Sequence, residues 1–192
     1  AGMTASEQLE KINERTRELV TLQYNTYNRS LVPLMHQHGI VVMDAFEDLS
    51  EAQAAFVDRY FEDNVYPVLT PMAVDASRPF PLIRNKTLNI AALLSKKKGK
   101  AEKEEIEFAT VQVPSVLPRL VHIPSEDGNE KTFILLEQVI ERNIDKLFLN
   151  YDVLCAYPYR VMRNADLSID EDEAADLLKE IQKQLKMRQW GE

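Results

Sequence analysis

Apolar positions recur at three- and four-residue steps through the first forty residues. Leu9, Ile12, Thr16, Leu19, Gln23, Tyr27, Leu31 and Leu34 fall in one line, the spacing of a single helical face. This predicts a helix from about Thr4 to His38. Pro33 lies inside it and should kink or restart it, because proline lacks the amide donor and its ring crowds the preceding turn. Gly39 ends the run, as a glycine commonly does just past a helix. The helix is long, and its stripe needs a partner, part of which is expected outside these residues.

Ile40–Met43 reads as a short apolar strand. Ser50 can cap a second helix, Glu51 to Val65, with Ala55, Phe56, Tyr60 and Phe61 turned inward. The stretch Asn64–Ala91, NVYPVLTPMAVDASRPFPLIRNKTLNIA, then leaves the helical pattern at Tyr66-Pro67 and crosses Pro71, Pro79 and Pro81. Proline fixes φ and pushes its predecessor towards extended conformations. A long apolar segment of this kind is a shaped connector, and Phe80, held between two prolines, is its expected plug. Leu88, Ile90, Ala92 and Leu94 alternate as in a strand, and Phe108–Val113 forms a second one. Lys96–Glu107, KKKGKAEKEEIE, joins them as a charged hairpin tip turning at Gly99.

Leu120–Ile123 is a third strand in this region, and Glu126–Asn129 a turn. Leu135, Leu136, Val139, Ile140, Ile144 and Leu147 give an amphipathic helix. Val153–Arg163 is a strand with Cys155, Tyr157, Tyr159 and Val161 on one face. Ser168 and Glu171 make a capping box for a last helix built on Ala174, Leu177, Leu178, Ile181 and Leu185. The order predicts an α+β fold: two layers, an antiparallel-rich mixed sheet with packed helices, and a long N-terminal helix in front.

A length of 192 residues suits one domain, or one domain with an appendage. The balance of 23 basic and 31 acidic residues gives −8, which argues against a nucleic-acid binder, since counterion release needs clustered positive charge. It leaves room for a local phosphate site. Cys155 is the only cysteine, so no intrachain disulfide forms, as suits a reducing cytoplasm; within its strand it reads as a small hydrophobe. No apolar run is long enough for a membrane helix, and the charged N-terminus is no signal peptide. Ala1-Gly2 ahead of Met3, opening directly into a helix, reads as a piece of a larger protein.

The candidate chemistry is sparse. His36 and His38 stand two apart, on different helix faces, a poor geometry for a shared metal; an interaction with the helix C-terminus suits them better. His122 alternates within its strand and reads as structural. Lys96–Lys98 and Lys100 form the one dense basic run, with Glu102, Glu104, Glu105 and Glu107 close by to neutralise it. Arg78, Arg84 and Lys86 flank the proline connector, with Asn85 and Asn89 near. They are the candidates for anion or interdomain contacts. No glycine-rich phosphate loop, CxxC, HExxH or GxSxG is present.

Four stretches, in order, resemble the bacterial polyphosphate kinase family. They are the opening helix running into His38-Gly39-Ile40-Val41-Val42; YPVLTPMAVDASRPFPLIRNKTLNIA; FATVQVPSVLPRLVHIP followed by FILLEQVIERNIDKLF; and YRVMRNADLSIDEDEAADLLKEIQ. The second and fourth are the most specific, and together they span nearly the whole chain. The resemblance implies that 1–39 ends an N-terminal helical domain and that 40–192 is a head (middle) domain, stopping before its last strand. It implies a parent enzyme that moves the γ-phosphate of ATP reversibly onto inorganic polyphosphate, through a phosphohistidine and with Mg2+. None of the three histidines matches the family's catalytic motifs, so no catalytic, cofactor-binding or metal residue is carried over. ATP and Mg2+ are implied for the parent, not for these residues.

The implied role is dimer formation and support of the active-site tunnel. The implied partners are the parent's other domains, a second copy and polyphosphate, in the cytoplasm, with membrane association only through a parent complex. The alternative is a stand-alone α+β anion- or protein-binding module that uses the Arg78–Lys86 loop or the lysine-rich hairpin.

Overall fold

The computed structural model describes residues 2–74, 81, 83–96, 106–126 and 128–162. The predicted Phe80 plug, Arg78, Lys97–Lys100 and the last helix lie outside the described residues.

Helix α1 (Ala5–Thr26) starts at Thr4, whose hydroxyl accepts from the Glu7 amide at 3.3 Å while the Glu7 carboxylate accepts from the Thr4 amide at 2.7 Å. This reciprocal cap satisfies two amides that a helix start otherwise leaves open. No residue of α1 is buried. The expected break at Pro33 takes a milder form. A π-helical turn, Tyr27–Leu31, precedes α2 (Val32–Gln37), and the Val32 amide bonds to the Tyr27 carbonyl five residues back. Pro33 cannot donate to the fourth residue behind it, and the wider turn lets the helix pass without stopping. Gly39, at φ 67°, closes α2, in the left-handed geometry that favours glycine at this position.

Strand β1 (Ile40–Val42) follows at once. Ser50 and Gln53 cap α3 (Glu51–Tyr60) reciprocally, and the Gln53 amide also donates to the Pro124 carbonyl at 2.9 Å. Here too a π-helical turn, Phe61–Val65, runs up to a proline: the Tyr66 amide reaches the Phe61 carbonyl, and Pro67 follows. The inward face differs from the expected one. Val57, Phe61 and Val65 are buried, whereas Ala55 and Phe56 are exposed and Tyr60 is half-buried. The four-residue steps 53, 57, 61 and 65 select this stripe, and the wide turn keeps Phe61 and Val65 on it.

The proline connector contains a strand that the patterning does not predict. β2 (Pro71–Val74) pairs antiparallel with β4 (Ile106–Gln112), which pairs with β3 (Leu88–Lys96) as a hairpin. Pro71 is tolerated because β2 is an edge strand. β5 (Leu120–Ile123) pairs antiparallel with β6 (Lys131–Leu135), and β6 pairs parallel with β1. β6 runs directly into α4 (Leu136–Arg142), which starts within one residue of the expected helix, while β6 itself was not predicted. β7 (Tyr151–Arg160) pairs with β3 and slips register between Leu93 and Leu94.

The result is a three-stranded sheet, β1-β6-β5, and a four-stranded antiparallel sheet, β2-β4-β3-β7, over one core. Val57, Phe61 and Val65 of the second helical segment meet Ile90, Leu94 and Val111 from the larger sheet and Ile134, Val139 and Ile140 from the smaller side. The fold is α+β with a long N-terminal helix, as the patterning predicts.

Candidate functional site

The chemistry-bearing residues fall into three places. The first is the corner of the four-stranded sheet where the chain enters β3. Ile83 is buried there, and the chain then turns through Arg84-Asn85-Lys86-Thr87. The Arg84 carbonyl accepts from the Thr87 amide at 3.3 Å and from the Thr87 hydroxyl at 2.8 Å. Asn89, buried, donates its side-chain amide to the Thr87 carbonyl at 2.9 Å and hydroxyl at 3.1 Å. Lys86 has φ 63° and is the one non-glycine residue at positive φ among those described. Its amide donates to the Val161 carbonyl at 2.8 Å, which pins the turn to the end of β7.

Of the three candidates flanking the connector, the structure therefore brings Arg84 and Lys86 to one exposed turn; Arg78 lies outside the described residues. It adds Arg160, the register partner of Leu88 and also exposed. Sequence reasoning missed Arg160 because only the β3–β7 register makes it a neighbour. None of these three side chains has a carboxylate partner among the described residues.

The second place is the α4 surface. Arg119 grips both oxygens of the buried Glu137 carboxylate, and this bond holds the guanidinium above its usual range. One turn on, Glu141 is half-buried. Burial, and then the charges of Glu137 and Glu47, push its carboxyl up to about 7. Arg142 holds Asp58 of α3 in a two-pronged pair at 2.8 and 3.0 Å, which keeps that carboxyl below its ordinary range. Lys146 reaches Glu62 at 2.8 Å. These pairs join α4 and its following turn to β5 and the second helical segment, and each cation is occupied.

The third is the set of lone groups. His36 and His38 are exposed at the end of α2. His122 is exposed on β5, edge-on to Phe133 at 5.3 Å. No carboxylate or second imidazole bonds any of them among the described residues. Cys155 is half-buried in β7. Lys96, at the foot of the basic hairpin, pairs with Glu107 at 3.3 Å. Among the described residues no group of three His, Cys, Asp or Glu side chains is placed to hold a metal ion. Nor is any helix among those residues long and apolar enough to cross a membrane.

Comparison with known proteins supplies what the local chemistry does not. The model of the polyphosphate kinase middle domain matches residues 52–192, and that of the polyphosphate kinase N-terminal domain matches 1–43. The chain belongs to the polyphosphate kinase family. A polyphosphate kinase of Lactiplantibacillus plantarum is 51% identical over 191 residues, covering 100% of this chain and 26% of that protein. One from Halalkalibacterium halodurans is 48% identical with the same coverage. The chain thus spans about a quarter of the length of these relatives. The crystal structure of polyphosphate kinase from Porphyromonas gingivalis superposes with a TM-score of 0.67 at 25% identity, over 94% of this chain and 30% of that one. The α+β architecture and its leading helix are therefore shared with a solved polyphosphate kinase.

Proposed function

We propose that this chain is the non-catalytic junction of a polyphosphate kinase: residues 1–39 close the N-terminal helical domain and 40–192 form the head domain. The parent enzyme moves the γ-phosphate of ATP reversibly onto inorganic polyphosphate through a phosphohistidine, with Mg2+, in the cytoplasm. The observation that carries this reading is the 51% identity to a polyphosphate kinase across the full chain. Among the described residues His36, His38 and His122 bond no carboxylate or second imidazole, and this suits a supporting role. In this reading the chain contributes to dimer formation and to the walls of the active-site tunnel. The continuous helix through Pro33 suits that task, because it carries the first domain rigidly from the sheet that β1 enters.

A chimera tests the proposal. The matching segment of the Lactiplantibacillus plantarum enzyme is replaced by this chain, and polyphosphate synthesis from ATP is measured. The chimera should remain active, and this chain alone should neither make polyphosphate nor retain acid-labile phosphate from labelled ATP. A folded chimera of unchanged oligomeric state that makes no polyphosphate overturns the reading. So does histidine labelling of this chain alone.

A further inference from the structure

We propose that the sheet corner carrying Arg84, Lys86 and Arg160 is a binding site for a phosphate chain. The identity of the ligand rests on the polyphosphate kinase reading; the existence of an anion site does not.

Three observations converge. First, the chain is acidic, at −8, and four cations around the core are already paired. Lys96, Arg119, Arg142 and Lys146 each hold a carboxylate. Arg84, Lys86 and Arg160 are exposed and hold none among the described residues. In a chain with surplus carboxylates, three such cations on one corner mark charge left available for a ligand.

Second, the backbone brings them together at a cost. Leu88 pairs with Arg160, and the Lys86 amide bonds to the Val161 carbonyl, so Lys86 and Arg160 sit beside one register position, with Arg84 two residues before Lys86 on the same turn. An L residue in the left-handed region costs about 1–2 kcal/mol, which glycine escapes and asparagine largely does. Asn85 stands next door, yet the strained position holds lysine. A strained residue kept by its surroundings points to function at that residue.

Third, the turn is rigid. Thr87 and the buried Asn89 lock the Arg84 carbonyl side, and the bond to Val161 locks the other. Little ordering entropy remains to be lost when an anion binds.

A ligand with several negative charges in a row suits three cations better than one carboxylate does. Guanidinium forks match phosphate oxygens in pairs, and lysine adds a point charge. The turn 83–87 carries no aromatic on which a base could stack, and the exposed Tyr157, three residues from Arg160 on β7, falls on the other face of the strand. A phosphate chain without bases is therefore favoured over a single-stranded nucleic acid.

The test is binding of inorganic polyphosphate to this chain across a salt series. The variants are the triple Arg84→Gln/Lys86→Gln/Arg160→Gln, the single Lys86→Asn, and a control, Arg59→Gln/Lys131→Gln, that removes exposed cations elsewhere. The triple variant should lose about tenfold or more in affinity, and its log–log salt slope should flatten by about two, the equivalent of three phosphate contacts. Lys86→Asn relieves the backbone and cannot be blamed on misfolding. It should weaken binding by about threefold and flatten the slope by a little under one. The control should bind like the parent chain. Equal losses in control and triple variant, unchanged binding in Lys86→Asn, or equal affinity for an oligonucleotide of matched charge would each overturn the site.

In the active chimera, the triple variant should raise the KM for polyphosphate and leave kcat within about twofold. An inactive chimera counts against the family reading. An active chimera indifferent to the triple variant counts against this site alone.

Discussion

Glu141 offers the sharpest test of the electrostatics around α4. Its carboxyl is pushed from 4.5 to about 7, first by burial and then by Glu137 and Glu47. Between those values the folded protein holds a proton that the unfolded chain has released. Stability is therefore full below about pH 4.5, falls as pH rises towards about 7, and levels off above it. The full shift, from 4.5 to about 7, sets a ceiling of about 3 kcal/mol. Glu141 is only half-buried, and solvent screening reduces this to about 1–2 kcal/mol. Glutamine resembles the protonated acid in shape and cannot ionise. Glu141→Gln should thus be nearly neutral at about pH 4 and stabilising by about 1–2 kcal/mol at about pH 8. Urea unfolding at both pH values measures it, provided the slopes agree and only the midpoints move. An advantage that is the same at both pH values, or a loss at the higher one, would show that Glu141 ionises freely and that the packing around it is looser than described.

Phe61→Ala should cost about 3–5 kcal/mol, because its ring is fully buried in the core. Phe56→Ala, with a ring 37% exposed, should cost less than about 1 kcal/mol on the same urea curves. Gly39→Ala should lower stability by about 1–2 kcal/mol, since φ is 67° and the new Cβ would lie 3.4 Å from the Asn129 carbonyl oxygen; thermal melting reads the loss. Arg119→Met strands the Glu137 carboxylate, whose side chain is 6% exposed, and should cost about 2–3 kcal/mol. Adding Glu137→Gln should recover part of that in a double-mutant cycle, and strict additivity would deny the pair.

The elements with strong periodicity were legible in the chain. The opening helix, the β3–β4 hairpin and the face shared by Cys155, Tyr157 and Tyr159 follow from spacing alone. What failed has physical causes. β2 hides among prolines, whose cost in a strand vanishes at a sheet edge. β6 is five residues long and runs into α4 with no turn between them, so no break in the pattern marks it as a separate element. The inward face of the second helical segment was misread because the large rings of Phe56 and Tyr60 outweigh Val57 in the sequence pattern, whereas the four-residue steps Gln53, Val57, Phe61 and Val65 face the core. At the basic corner, Arg84 and Lys86 were visible as local charge, but Arg160 joins them only through strand register. No local pattern encodes a pairing across seventy residues.

The parallel pairing of β1 with β6 also governs when the fold can close. Ile40 meets Lys131, so β1 has no neighbour in its sheet until a long stretch of further chain has been made. At about 5–20 residues per second, the ribosome needs roughly 5–20 s to supply it. Over that interval α1 and α2 can form, since their hydrogen bonds are local, but nothing anchors them to the sheet. β6 is therefore the latch of the architecture: when it adds to β5 on one side and β1 on the other, the long helix stops being a tether and becomes a lever fixed to the core.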